Sequence, residues 1–167
     1  MRLRFALGFF AMLATPMISG CGDHDHEDHS PAEEACEHTV DGPFQDVTAT
    51  AASDGAPSAS FEHTAVRITL VADANDASQN SGFVTFKAEE ATEFGFFLSA
   101  NVTMAITDAS GTAVAIEESA DVAACTQVAK QHNADLEVGT YTLQFGPTTE
   151  TLVSLVVEEL SHEGDAH

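Results

Sequence analysis

The sequence predicts an all-β chain, an antiparallel β-sandwich of seven to nine short strands, and two observations predict it. Apolar residues recur at every second position along most of the chain, the signature of strands buried on one face. Between these runs stand Asn80-Ser81-Gly82, Asp108-Ala109-Ser110-Gly111, Val138-Gly139 and Gly146-Pro147, which carry turn chemistry. Many short alternating strands are buried together only when two antiparallel sheets pack face to face.

Taken in order, the strands are legible from parity. Val66, Ile68 and Leu70 alternate with Arg67 and Thr69; Val84 and Phe86 with Thr85 and Lys87; Phe94, Phe96 and Leu98 with Gly95, Phe97 and Ser99. Val102, Met104 and Ile106 continue the pattern, then Val114 and Ile116, then Tyr141, Leu143 and Phe145, and last Val153, Leu155 and Val157. One alanine-rich segment breaks the rhythm. Residues 117–130 are expected to form a long loop with at most one helical turn.

The segments flanking this region have a different character. Arg2 and Arg4 precede an apolar run from Phe5 to Ile18, shorter than the ~20 residues a membrane span needs and organised as a secretory signal peptide. Residues 22–35 hold no large apolar side chain and many charges, so they are expected to be a disordered tether. Residues 161–167 are similarly polar and read as a frayed tail. The expected division is 1–20 signal, 21–35 tether, 36–160 domain and 161–167 tail.

The end of the signal segment, Ile18-Ser19-Gly20-Cys21, resembles the lipobox of bacterial lipoproteins. The resemblance implies acylation of Cys21, cleavage before it, and anchoring by two or more acyl chains, which is stable where one chain is marginal. Gly22 at the next position favours the outer membrane over the inner. The expected location is therefore the cell envelope, with the lipid bilayer as a partner. With Cys21 committed to lipid, Cys36 and Cys125 remain as an even pair in an oxidising compartment, and a disulfide between them is expected.

Residues 82–160 resemble the bacterial pre-peptidase C-terminal domain. The likeness is carried by Gly82-Phe83-Val84-Thr85-Phe86, by Ala91 to Ser99, by Val102 to Thr112 with its D-x-x-G turn, and by Leu136-Glu137-Val138-Gly139-Thr140-Tyr141-Thr142-Leu143. It implies a jelly-roll-like sandwich with a binding or accessory role. Unlike the family's usual setting, no peptidase is expected ahead of the domain.

Charge narrows the partners. Without residues 1–20, three basic residues (Arg67, Lys87, Lys130) face 27 acidic ones, a net charge of −24. Nucleic acid is a poor partner for such a surface, whereas cations and basic proteins suit it.

The chain has eight histidines against five Lys and Arg. His24, His26 and His29 lie in the tether among carboxylates, where neutral imidazoles would collect Zn²⁺, Cu²⁺ or Ni²⁺ with little selectivity. His38, His63 and His132 lie in the domain. His38 is two residues from Cys36 and His132 seven from Cys125, so the disulfide would draw their neighbourhoods together. His63 has the parity of Arg67, outside the core. Converging at one end of a sandwich, the three would form an open zinc-type site, with Glu37 or Glu62 as fourth ligand or as the acceptor that fixes an imidazole. No H-E-x-x-H, G-x-S-x-G or phosphate-cradling glycine loop occurs, so a non-enzymatic role is expected. That role is binding of a transition-metal ion, zinc first, as scavenger, buffer or accessory to an envelope transporter. The alternative is a structural or adhesive envelope module binding protein or glycan, with Phe97 as the first aromatic to look for on its surface.

Overall fold

A computed structural model describes residues 29–160 apart from residue 62. Cys21, His24, His26, Glu62 and the signal and tail segments lie outside the described residues. The chain enters through helix α1 (Pro31–Asp41), followed by β1 (Phe44–Thr48), β2 (Ala65–Thr69), β3 (Val71–Ala72), β4 (Asn80–Ala88) and β5 (Thr92–Leu98). Then come β6 (Met104–Thr107), β7 (Ala113–Val114), β8 (Glu118–Asp121), β9 (Lys130–Leu136), β10 (Gly139–Thr148) and β11 (Leu152–Leu160). These form a six-stranded sheet in the order β1-β2-β11-β5-β9-β8 and a five-stranded sheet in the order β3-β4-β10-β6-β7.

The period-two pattern does what parity requires. Ile68, Phe96, Leu98, Val153 and Leu155 of the six-stranded sheet meet Val84, Phe86, Ile106, Leu143 and Phe145 of the other across one continuous core. All strand pairs are antiparallel except β1 with β2, which run parallel. The eleven strands among the described residues exceed the seven to nine expected, and β3 and β7 are only two residues each. The D-x-x-G turn lies between β6 and β7, where the Asp108 carboxylate accepts from Ser110 N and Thr112 N and Gly111 adopts φ +83°. Tyr141 ties the start of β10 down by donating to the Glu137 carbonyl at 2.9 Å.

The entry helix departs from the expectation of a disordered segment up to residue 35. Its start follows from local chemistry. Ser30 caps it, Pro31 occupies its first turn, and Glu33 reaches back so that Ser30 and Glu33 satisfy each other's backbone N–H groups. The Ser30 backbone N–H, and after it the Ser30 hydroxyl, hold the Glu33 carboxyl below its usual range. Charge density argues for disorder on average, but a capping box followed by Ala32, Ala35 and Cys36 gives one helix face something to bury.

That face covers the outer side of the six-stranded sheet. Ala35 and Cys36 pack with Ala65, Phe97, Val128 and Val156 in a second, smaller core. Strand β5 is therefore buried on both faces, with Phe96 inside the sandwich and Phe97 beneath the helix. Gly95 permits this arrangement, because a Cβ there would lie 2.8 Å from the Phe97 ring. Phe97 is 1 % exposed, so it offers no adhesive surface.

Cys36 and Cys125 are bonded, closing a sequence separation of 89 residues. The bond fastens α1 to the connection between β8 and β9. Within the segment expected to be a loop, residues 118–121 pair as a strand with β9, and residues 122–129 are the irregular part that carries Cys125. By chain entropy such a closure contributes roughly 4–5 kcal/mol. The Cys36→Ala/Cys125→Ala double variant is expected to lose about 2–5 kcal/mol in urea unfolding. A loss below 1 kcal/mol would show that the small core holds the helix without the bond.

Candidate functional site

Four side chains, Glu34, His38, His63 and Glu158, meet where α1 crosses the end of β11. Glu34 and His38 are four residues apart and share a helix face. Glu158 is on the helix side of the six-stranded sheet, because it alternates in phase with Val156, which belongs to the small core. His63 comes from the connection between β1 and β2, just before β2 begins, and adopts φ +45°. This left-handed conformation is uncommon for a side-chain-bearing residue and marks a held position.

The geometry is close. The His38 and His63 ring centroids are 5.8 Å apart, with planes inclined by 47°. His38 Nε2 stands 4.0 Å from Glu158 Oε1. On the other side of the same ring, Nδ1 is 3.3 Å from the Gly42 carbonyl oxygen. A carbonyl only accepts, so Nδ1 is the donor in that contact. In the neutral ring Nε2 then presents its lone pair toward Glu158.

Glu158 is the anomalous member. It is 7 % exposed, and its Oε1 is buried with no hydrogen-bond partner among the described residues. Burial pushes its pKa up; His38 and His63 oppose that shift, and Glu34 reinforces it. A buried carboxylate oxygen without a donor is costly to keep unless a cation or a proton satisfies it.

The other sequence-expected residues are distributed differently. Glu37 is exposed on α1. His29 is exposed just before the helix cap. His132 does not join His38 and His63. It pairs with Phe96 in the β5–β9 ladder and so faces the interior of the sandwich, on the opposite side of the sheet from Glu158. The disulfide does bring the β8–β9 connection to the helix, but seven residues of chain suffice to carry His132 through the sheet plane. Among the described residues no group of three or more His, Cys, Asp and Glu side chains already stands in metal-holding geometry.

The residue that sequence reasoning missed is Glu158. In Val153-Ser154-Leu155-Val156-Val157-Glu158 it has the parity of an outward residue. Only the unexpected helix converts that outward face into a buried one.

A cleft of about 380 Å³ opens beside the cluster, with Glu34, His63 and Glu158 on its wall. Its opposite side comes from the segment of residues 57–60 that runs along β4, held by the Ser58–Thr85 bridge and by Lys87 N donating to Ser60 Oγ at 2.7 Å. Neither a protein-family model nor a curated protein sequence matches this chain.

His132 has a separate role. Its Nδ1 lies 2.7 Å from Ser119 Oγ, its Nε2 is buried without a partner among the described residues, and burial pushes its pKa below the usual 6.5. The unfolded chain therefore binds a proton more readily than the folded one between the lowered value and about 6.5. Stability from this group is complete above about pH 6.5 and is lost as pH falls through the folded pKa. Urea unfolding at pH 7.5 and 5.5 should show wild type losing stability relative to His132→Gln at the lower pH. Parallel pH profiles for the two would exclude His132 as the source.

Proposed function

We propose that the protein is a lipid-anchored module of the cell envelope that binds a divalent transition-metal ion, zinc first, through His38, His63 and Glu158. The observation that carries this reading is the buried Glu158 oxygen, without a hydrogen-bond partner among the described residues, beside two imidazoles, one of them held by a backbone carbonyl. Zinc–nitrogen bonds of about 2.0–2.1 Å at a tetrahedral ion would put two imidazole centroids roughly 5 Å apart, and the separation here is 5.8 Å. A nitrogen and an oxygen on one such ion stand roughly 3.3 Å apart, against 4.0 Å between His38 Nε2 and Glu158 Oε1. Small side-chain movements around the ion would complete the set, with Glu34 or water in the remaining position. The Gly42 carbonyl would act as the outer acceptor that fixes the His38 tautomer, a role common behind metal-bound histidines.

The rest of the chain supports the same reading. A net charge of −22 over the whole sequence concentrates cations near the surface. The lipobox-like Ile18-Ser19-Gly20-Cys21 supports anchoring in the envelope, outer membrane first. There a domain with a tether rich in His and Asp would serve as a scavenger, buffer or accessory to a transporter rather than as a catalyst. The adhesive alternative loses its leading aromatic, because Phe97 is buried under α1.

Two measurements test the proposal. Zinc titrated calorimetrically into the full chain in detergent, with His24, His26 and His29 replaced by Asn, is expected to bind one-to-one. His63→Ala or His38→Ala should weaken that binding about tenfold or more, and unchanged affinity in both variants would remove the site. Growth with labelled palmitate is expected to label the wild-type protein and not Cys21→Ala. Equal labelling of the two would remove the lipid anchor.

A further inference from the structure

The cleft beside the metal candidate has a chemistry of its own. Its apolar wall is aromatic, made by Phe61, Phe86 and Phe94. Phe86 and Phe94 meet edge to face at 5.3 Å and 75°, so their rings form a corner rather than a flat floor. Phe61 is 40 % exposed.

The charged lining is predominantly acidic. Glu34, Glu89, Glu158 and Glu159 all border the cleft. The sole Lys or Arg among the lining residues is Lys87, and its ammonium is already engaged by Glu89 at 2.6 Å. Glu158 brings a carboxylate that is nine-tenths buried and has an oxygen without a hydrogen-bond partner among the described residues.

Aromatic faces combined with carboxylates select for positive charge on an apolar body. The ring quadrupole attracts a cation at its face, most strongly when the cation is poorly hydrated, and quaternary ammonium groups are the usual beneficiaries. An anionic ligand would meet four carboxylates with no free cation among the lining residues, and a neutral ligand would leave the charge unused. At about 380 Å³ the cleft lies toward the lower end of the range of small-molecule sites.

We propose that this cleft binds a small organic cation, an alkyl-ammonium compound with an apolar body, seated between Phe61 and the Phe86–Phe94 corner with its charge toward Glu158 and Glu159. This site goes beyond the metal reading and does not require it. The two share His63, Glu158 and Glu34, and His38 belongs to the metal set alone.

The test uses the full chain in detergent with EDTA present, so that no metal contributes. Choline is titrated and followed by chemical-shift changes, and its neutral isostere 3,3-dimethylbutan-1-ol is titrated in parallel. Choline is expected to bind and to shift the Phe61 resonances, with the alcohol at least about fivefold weaker. Phe61→Ala and Glu159→Gln, both at exposed positions that leave the core intact, are each expected to weaken choline about threefold or more. No choline binding, equal binding of the alcohol, or unchanged affinity in both variants would overturn the proposal. Choline failing while zinc still binds would sink the cleft and leave the metal site standing; choline binding in EDTA supports the cleft whatever zinc does.

Discussion

The contact on which the site depends is the seating of α1 on the outer face of the six-stranded sheet. Without it the Phe97 ring and the Val156 side chain would face water, and each such side chain is stabilised by about 1.5–3 kcal/mol on full burial. The Cys36–Cys125 bond fixes where along that face the helix lies. Once Cys36 is placed, helical geometry places Glu34 and His38 over β11, and the carboxylate of Glu158 loses its water. The small core, the disulfide and the burial of the Glu158 carboxylate therefore arise together.

How much of this was legible follows from how each element stabilises itself. Strands such as β4, β5, β10 and β11 bury alternate large apolar residues, so parity reveals them and their register. Strand β9, Lys130-Gln131-His132-Asn133-Ala134-Asp135-Leu136, buries only His132, Ala134 and Leu136 on its core side, and no hydrophobic pattern distinguishes it from a loop. Strand β1 buries Val47 alone. The helix was the costlier omission. Its capping box was present in Ser30-Pro31-Ala32-Glu33, but the surrounding charge density suggested disorder more loudly than one cap suggested order.

The candidate site divides along the same line. The pairing of Cys36 with Cys125 was readable, as was the position of His63 outside the core. The meeting of His38 with His63 was part of the expected convergence, and the inclusion of His132 was not met. Proximity to a bonded cysteine fixes a neighbourhood, but the face of a sheet is decided by a single step of parity. His132 falls on the Phe96 side and Glu158 on the Phe97 side. The proposed metal and cation sites at this corner accordingly draw on residues from three separate parts of the chain, and no local motif announces them.

The early start of α1 also sets a distance. Nine residues carry the chain from Cys21 to the helix cap at Ser30, and a fully extended chain covers at most about 3.6 Å per residue. Were Cys21 acylated as proposed, the first turn of the helix would stay within roughly 32 Å of the lipid surface. Under that proposal the domain would be confined to a thin layer above the leaflet, and a partner would have to come within that layer to meet it.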